Sequence, residues 1–209
     1  NLLNEGVPRN KIHLVGNIMI DTLLRHLPMA TLDRVRDRVA VADRAYAVLT
    51  LHRPSNVDEP AVLLRILDAI TVVAARVPIV FPVHPRTRAR LAAISGRTLP
   101  DRLILTDPMG YIDFLSLTSH ARVILTDSGG LQEESTALGI PCLTLRENTE
   151  RPVTITHGTN RLVGTSTAAI IEGFEAAMAQ QVDARMKPDL WDGRSAGRVA
   201  KVLLDFLAR

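Results

Sequence analysis

Several short segments of this chain group residues able to bind anions or move protons. The segment Thr126-Asp127-Ser128-Gly129-Gly130-Leu131-Gln132-Glu133-Glu134 follows the apolar run Val123-Ile124-Leu125. It reads as a buried strand that ends in a small-residue turn and opens a helix, which leaves backbone N–H groups pointing outward at the turn. Gly129 and Gly130 let a ligand come close to the backbone, and the Ser128 hydroxyl adds a donor. A phosphate suits that arrangement. Glu133 and Glu134 follow in the first helical turn, where a carboxylate suits the dipole and can accept hydrogen bonds from sugar hydroxyls. Phosphate and ribose together suggest a nucleotide. Asp-Ser-Gly-Gly is also an ordinary way to leave a strand and cap a helix, so its context has to decide.

Four further segments supply that context. In Thr50-Leu51-His52-Arg53-Pro54-Ser55-Asn56, His52 can act on protons or donate to a diphosphate, and Arg53 can pair with phosphate oxygens; a solvated loop with a helix cap fits equally. Phe81-Pro82-Val83-His84-Pro85-Arg86 holds His84 between stiffening prolines, which suits a preorganised site and also simply starts a helix. Asp107 to Phe114 carries Met109, Tyr111 and Phe114, a flat apolar surface for a base, although core packing suits Phe114 as well. Leu145 to Pro152 is strongly charged: Arg151, fixed before a proline, is placed to meet a phosphate or close the site, and Arg146 and Glu147 are expected to pair with each other. His13, His26, His120 and His157 lack metal-ligand spacing, so no metal site is expected.

These residues need a scaffold. Strand-like apolar runs recur at 12–15, 46–51, 79–83, 103–106, 123–126, 142–145 and, more weakly, 162–163. Helical patterns occupy 18–27, 32–41, 61–76, 86–94, 111–118, 130–138, 168–179 and 196–207, the last with Val199, Leu203, Leu204 and Leu207 on one face. The alternation predicts an α/β fold with a doubly wound parallel sheet, in which ligands gather at the carboxyl ends of strands. His52, His84 and Ser128 all fall at such ends.

Composition narrows the partners. At 209 residues, 22% charged and 46% hydrophobic, the chain suits a globular domain, and it lacks the roughly 20-residue apolar run of a membrane span. The expected setting is cytoplasmic. Net charge is +3, yet the arginines are scattered and aromatics are 3%, so an anionic small ligand is expected rather than nucleic acid. Cys142 sits in an apolar run and reads as a small buried hydrophobe. The start, Asn1 to Pro8, looks like a helix tail and turn without an initiating methionine, giving the expectation that a further N-terminal part precedes it.

The ordered set His52-Arg53, His84-Pro85, Thr126 to Glu134, Leu138-Gly139-Ile140-Pro141, Thr149-Glu150-Arg151-Pro152, Gly158-Thr159 and Leu162-Val163-Gly164 strongly resembles the non-hydrolysing UDP-N-acetylglucosamine 2-epimerases, over about residues 6–198. The resemblance implies a Rossmann-like unit, 1–209, equivalent to the C-terminal half of a GT-B fold. By that resemblance the N-terminal half is expected to be missing from this sequence, and the last helix, 195–208, to pack on it. By the same resemblance Ser128, Gly129 and Gly130 hold the diphosphate, Glu134 the ribose and Met109 to Phe114 the uracil, while His52 and His84 serve the diphosphate and the catalytic groups, His52 being the catalytic candidate.

The implied reaction removes the C2 proton, expels UDP by anti elimination to leave 2-acetamidoglucal, and adds UDP back on the other face, interconverting UDP-GlcNAc and UDP-ManNAc without a cofactor. The family's catalytic carboxylates belong to the other half, so the isolated chain is expected to be inactive. The resemblance also implies a homodimer of the complete protein, and a second, activating UDP-GlcNAc at Arg53 and His84. Two departures bear on that activation: Pro54-Ser55 stands where the family commonly has Arg-Glu, and Arg86-Thr87 where it has Asn-Pro. A GT-B glycosyltransferase and a nucleotide-sugar-binding module are the competing readings.

Overall fold

The computed structural model describes residues 1–94, 96, 98–179 and 187–208. In chain order the regular elements are α1 (Ile18–His26), β1 (Ala47–Thr50), α2 (Pro54–Val57), α3 (Pro60–Arg76), β2 (Ile79–Pro82), α4 (Pro85–Ala93), β3 (Leu103–Thr106), α5 (Tyr111–Ser119), β4 (Val123–Thr126), α6 (Gly129–Leu138), β5 (Cys142–Thr144), α7 (Val153–Thr156), β6 (Asn160–Leu162), α8 (Thr167–Ala179) and α9 (Ser195–Leu207). The strands form one sheet in the order β3-β2-β1-β4-β5-β6, every pair parallel. This is the doubly wound order of dinucleotide-binding folds, with its reversal point between β1 and β4.

The period of two along each strand decides which helix layer a side chain meets. Ala47, Leu49, Ile79, Phe81, Val123, Leu125 and Leu143 face α3 and α8, where Leu63, Ile66, Ile70, Val73 and Phe174 complete one core. Their neighbours Val48, Val80, Ile124 and Cys142 face the other way, against Leu117 of α5, Leu131 of α6, and Val35 and Val39. Both faces are covered, which is why these strands read as continuous apolar runs rather than alternating ones. Each fully buried leucine or isoleucine contributes about 2 kcal/mol relative to exposure.

Two expected elements are not formed. Residues 12–15 are not a strand: Leu14 is 79% exposed, and the Val15 carbonyl accepts a side-chain N–H from Arg198 instead of a ladder bond. The apolar run there lacks a neighbouring strand, so β1 begins at Ala47. The helical pattern at 32–41 shrinks to a 3-10 turn, Leu32–Val35. Val35 and Val39 keep their i, i+4 burial in the second core, which is all the sequence pattern encoded. At the other end of the chain α9 forms as expected, with Asp21 of α1 accepting from the Ser195 and Ala196 amides at its start.

Candidate functional site

At the reversal point, β1 and β4 run in register with Thr50 beside Thr126, and their hydroxyls meet at 2.6 Å. Thr126 Oγ1 also accepts the Ser128 amide at 2.9 Å, which turns the chain from β4 toward α6. Ser128 is the N-cap: its hydroxyl oxygen accepts from the Leu131 amide at 3.5 Å, leaving its own hydrogen free to donate. Among the described residues the Gly129 and Gly130 amides, at the first two helical positions, meet no protein acceptor. A side chain at either glycine would find open space, with Glu150 or Ser128 no nearer than 4.0 Å. The helix start is thus open to an anion.

Asp127 is the hub of the site. Fully buried, it accepts the backbone amides of His52 at 3.0 Å and Arg53 at 2.9 Å, the Asn56 amide nitrogen at 3.3 Å, and His52 Nδ1 at 2.9 Å. Burial by itself would raise the Asp127 carboxyl, but the His52 ring and the two backbone amides outweigh it and hold it below the ordinary value. The same hydrogen bond raises His52 above the ordinary histidine value, against burial and the charge of Arg53. Asn56, also buried, ties the loop to the Leu145 carbonyl at 2.8 Å.

His52 and His84 face each other with ring centroids 6.5 Å apart. His84 caps α4, its Nδ1 accepting from the Arg86 amide at 3.3 Å, which leaves Nε2 as the ring's donor. Together with Thr50, Met109 and Phe114 they line a cleft of about 180 Å³. Beside it Tyr111, 40% exposed at the start of α5, donates its hydroxyl to Glu134 Oε1 at 3.3 Å. Burial raises the Glu134 carboxyl despite that hydrogen bond, and burial with the Glu134 charge pushes Tyr111 up to about 12.

The structure thus brings His52, His84, Met109 and Phe114 into one cleft, sets Tyr111 against Glu134 on α6, and puts Ser128 to Gly130 at the start of that helix. Two expected residues stand apart. Arg53 lines a second cavity of about 410 Å³ with Arg146 and Asn148, its guanidinium 4.0 Å from Glu150. Arg151 pairs with Glu133, Nε to Oε1 2.9 Å, without hydrogen-bond alignment. Arg146 and Glu147 do not pair with each other: Arg146 clamps Glu150 at 2.8 and 3.0 Å, and Glu147 accepts from the Thr165 amide and hydroxyl.

Three residues with structural weight carried no role in the sequence reading: Asp127, Asn56 and Gln132. Buried Gln132 donates to the Ser128 carbonyl and accepts from Thr149 at 2.6 Å and Asn160 at 3.3 Å, joining the anion turn to the Thr149 to Pro152 loop. A carboxylate directly after a doubly buried strand was the available signal, since such a charge persists only when paired.

A family model described as UDP-N-acetylglucosamine 2-epimerase matches residues 1–204. The UDP-N-acetylglucosamine 2-epimerase of Methanocaldococcus jannaschii is 38% identical over 211 residues, covering 97% of this chain and 57% of that protein. A crystal structure of that protein in complex with UDP-GlcNAc and UDP superposes with a TM-score of 0.82 at 36% identity, over 97% of this chain and 57% of that one. A Pseudomonas aeruginosa UDP-2,3-diacetamido-2,3-dideoxy-D-glucuronate 2-epimerase is 34% identical over 97% of this chain and 56% of its own length. The spinosyn rhamnosyltransferase SpnG shares the fold alone, at 21% identity and a TM-score of 0.54 over 78% of this chain and 45% of that one. The chain spans less than three-fifths of the length of the curated relatives it matches.

Proposed function

Because the chain belongs to the UDP-N-acetylglucosamine 2-epimerase family, we propose that it is the UDP-gripping half of an enzyme that interconverts UDP-GlcNAc and UDP-ManNAc by elimination and readdition of UDP. One observation carries the reading: a single helix, α6, offers free amides and a serine hydroxyl at its start and a buried carboxylate at Glu134. Glu134 lies six residue steps beyond Ser128, roughly 9 Å of helical rise, a span that a nucleoside diphosphate can bridge.

In this reading Ser128, Gly129 and Gly130 take the diphosphate and Glu134 takes the ribose hydroxyls from Tyr111. Met109, Tyr111 and Phe114 border the uracil, and Arg151 closes the site. His52 and His84 face the departing phosphate oxygen, where a developing negative charge is best stabilised. Removing the C2 proton needs a base, and the carboxylates around the cleft are committed: Asp127 to His52, Glu134 to Tyr111, Glu133 to Arg151 and Glu150 to Arg146. The base therefore comes from a second, N-terminal half, on which the 195–208 segment packs. Arg53 with His84 serves a second, activating UDP-GlcNAc, and the complete protein is a homodimer.

The sugar is the part that relatives discriminate least, since family members named for UDP-GlcNAc and for a diacetamido uronate match at similar identity. Incubating the chain with UDP-GlcNAc and following UDP-ManNAc, 2-acetamidoglucal and UDP by NMR tests the division of labour. Binding without turnover is expected. Turnover at rates typical of an enzyme would contradict it, and UDP release only on adding an acceptor would indicate a glycosyltransferase.

A further inference from the structure

The family reading assigns His52 to the diphosphate but gives no role to the carboxylate behind it. We propose that Asp127 is a positioning residue that commits His52 Nδ1–H to a buried carboxylate and favours the imidazolium, whose Nε2–H then faces the diphosphate in the cleft. The inference rests on the UDP reading of this site.

The geometry allows few alternatives. An ionised carboxylate only accepts, so the 2.9 Å contact from His52 Nδ1 to Asp127 Oδ1 requires a proton on Nδ1. The backbone amides of His52 and Arg53 and the side chain of Asn56 bind the same carboxylate. The loop that carries the imidazole is therefore fixed to the group that orients it. With Nδ1 occupied, Nε2 is the ring nitrogen left for a ligand, on a side chain 43% exposed. A neutral ring held in this way offers a lone pair at Nε2, which a phosphate oxygen repels. Only the imidazolium donates from both nitrogens.

The charge of that ring depends on Asp127. The other charged or titratable groups around it are Arg53 on its own loop, His84 on the β2–α4 turn, and Arg146 after β5, whose charge interacts with Asp127. Each of them, when charged, is a cation and opposes a cationic His52; the other anion nearby, Glu150, pairs with Arg146 and lies 4.0 Å from Arg53. Asp127 is the anion that sustains it, and replacing it by asparagine keeps the shape while removing the charge. A role limited to holding the loop would survive that replacement; a role in protonation would not.

The test combines long-range ¹H–¹⁵N NMR of His52 in the wild-type chain with calorimetric titration of UDP from pH 6 to pH 8.5, for wild type, Asp127→Asn and His52→Gln. The terminal phosphate of UDP titrates with a pKa near 6 and does so equally for all three proteins, so the readout is the difference between them. His52 is expected to titrate above the ordinary value of about 6.5 with its neutral form protonated on Nδ1. UDP affinity is expected to fall about tenfold across the range in wild type and less than threefold in either variant, a difference of one pKa unit's worth of protonation. A neutral His52 protonated on Nε2, or Asp127→Asn keeping the wild-type pH profile, overturns the proposal. If Asp127→Asn does not fold, the wild-type NMR titration and His52→Gln decide it. Absence of UDP binding to wild type at every pH would instead refute the UDP reading, while the NMR result still decides the Nδ1 contact.

Discussion

Helices α6 and α9 have similar lengths, 10 and 13 residues, and break the usual burial pattern in opposite ways. The first buries Gln132, Glu134, Ser135 and Thr136, while the second exposes Leu203, Leu204, Phe206 and Leu207, the last at 78%. Buried polar groups are mostly retained where partners satisfy them, and three of these four have them: Ser128, Thr149 and Asn160 around Gln132, Tyr111 at Glu134 and the Gln132 carbonyl at Ser135, while Thr136 Oγ1 meets none among the described residues. Its polar content suits the nucleotide site proposed for it. Among the described residues the apolar side of α9 stays exposed, the kind of patch that interaction sites use.

The contrast can be broken most sharply at the hub behind α6. Asp127→Ala leaves the His52, Arg53 and Asn56 donors without their shared acceptor, so it is expected to lower unfolding stability by about 3 kcal/mol, read from urea denaturation. A loss below about 1 kcal/mol, the scale of an exposed pair, would mean the β1 and β4 loops are not held through that carboxylate. Gln132→Ala tests the next link and is expected to cost about 2 kcal/mol, because Thr149 and Asn160 lose their shared acceptor.

A pH series gives a smaller effect with a defined sign. Asp127 is held below its ordinary 3.8, so its contribution is present above that value and lost as pH falls through the lower folded value. His52 is raised above 6.5, so its contribution is present below 6.5 and lost as pH rises through the higher folded value. Glu134, raised by burial, acts in the same sense as His52 from its ordinary 4.5 upward. Denaturation at pH 3, 5 and 8.5 is expected to show the advantage of wild type over Asp127→Asn greatest at pH 5. An advantage independent of pH would remove the charge from the explanation.

The smallest effect belongs to α9. Changing Leu203 and Phe206 together to glutamate is expected to shift stability by no more than about 0.5 kcal/mol, as for exposed positions in general. A loss of 2 kcal/mol or more would show the face to be packed within this chain after all.

Much of this was legible beforehand, for physical reasons that also explain the rest. Val123-Ile124-Leu125 has both faces covered, and a continuous apolar run announces that; the run at 12–15 is interrupted only by His13 and fails because, among the described residues, no strand lies beside it. The turn at Ser128 and Gly129 is local chemistry and could be read from four residues. The pairing of Asp127 with His52, and of Arg146 with Glu150 rather than Glu147, depends on which loops the sheet order brings together. Strand order is not written in any short segment.

The most direct measurement is calorimetric titration of UDP into the wild-type chain, Ser128→Ala and Glu134→Ala. One UDP per chain is expected, with affinity reduced roughly tenfold by each substitution, the weight of one hydrogen bond to a charged or buried group. Wild-type affinity in both variants would contradict the placement of the nucleotide on α6.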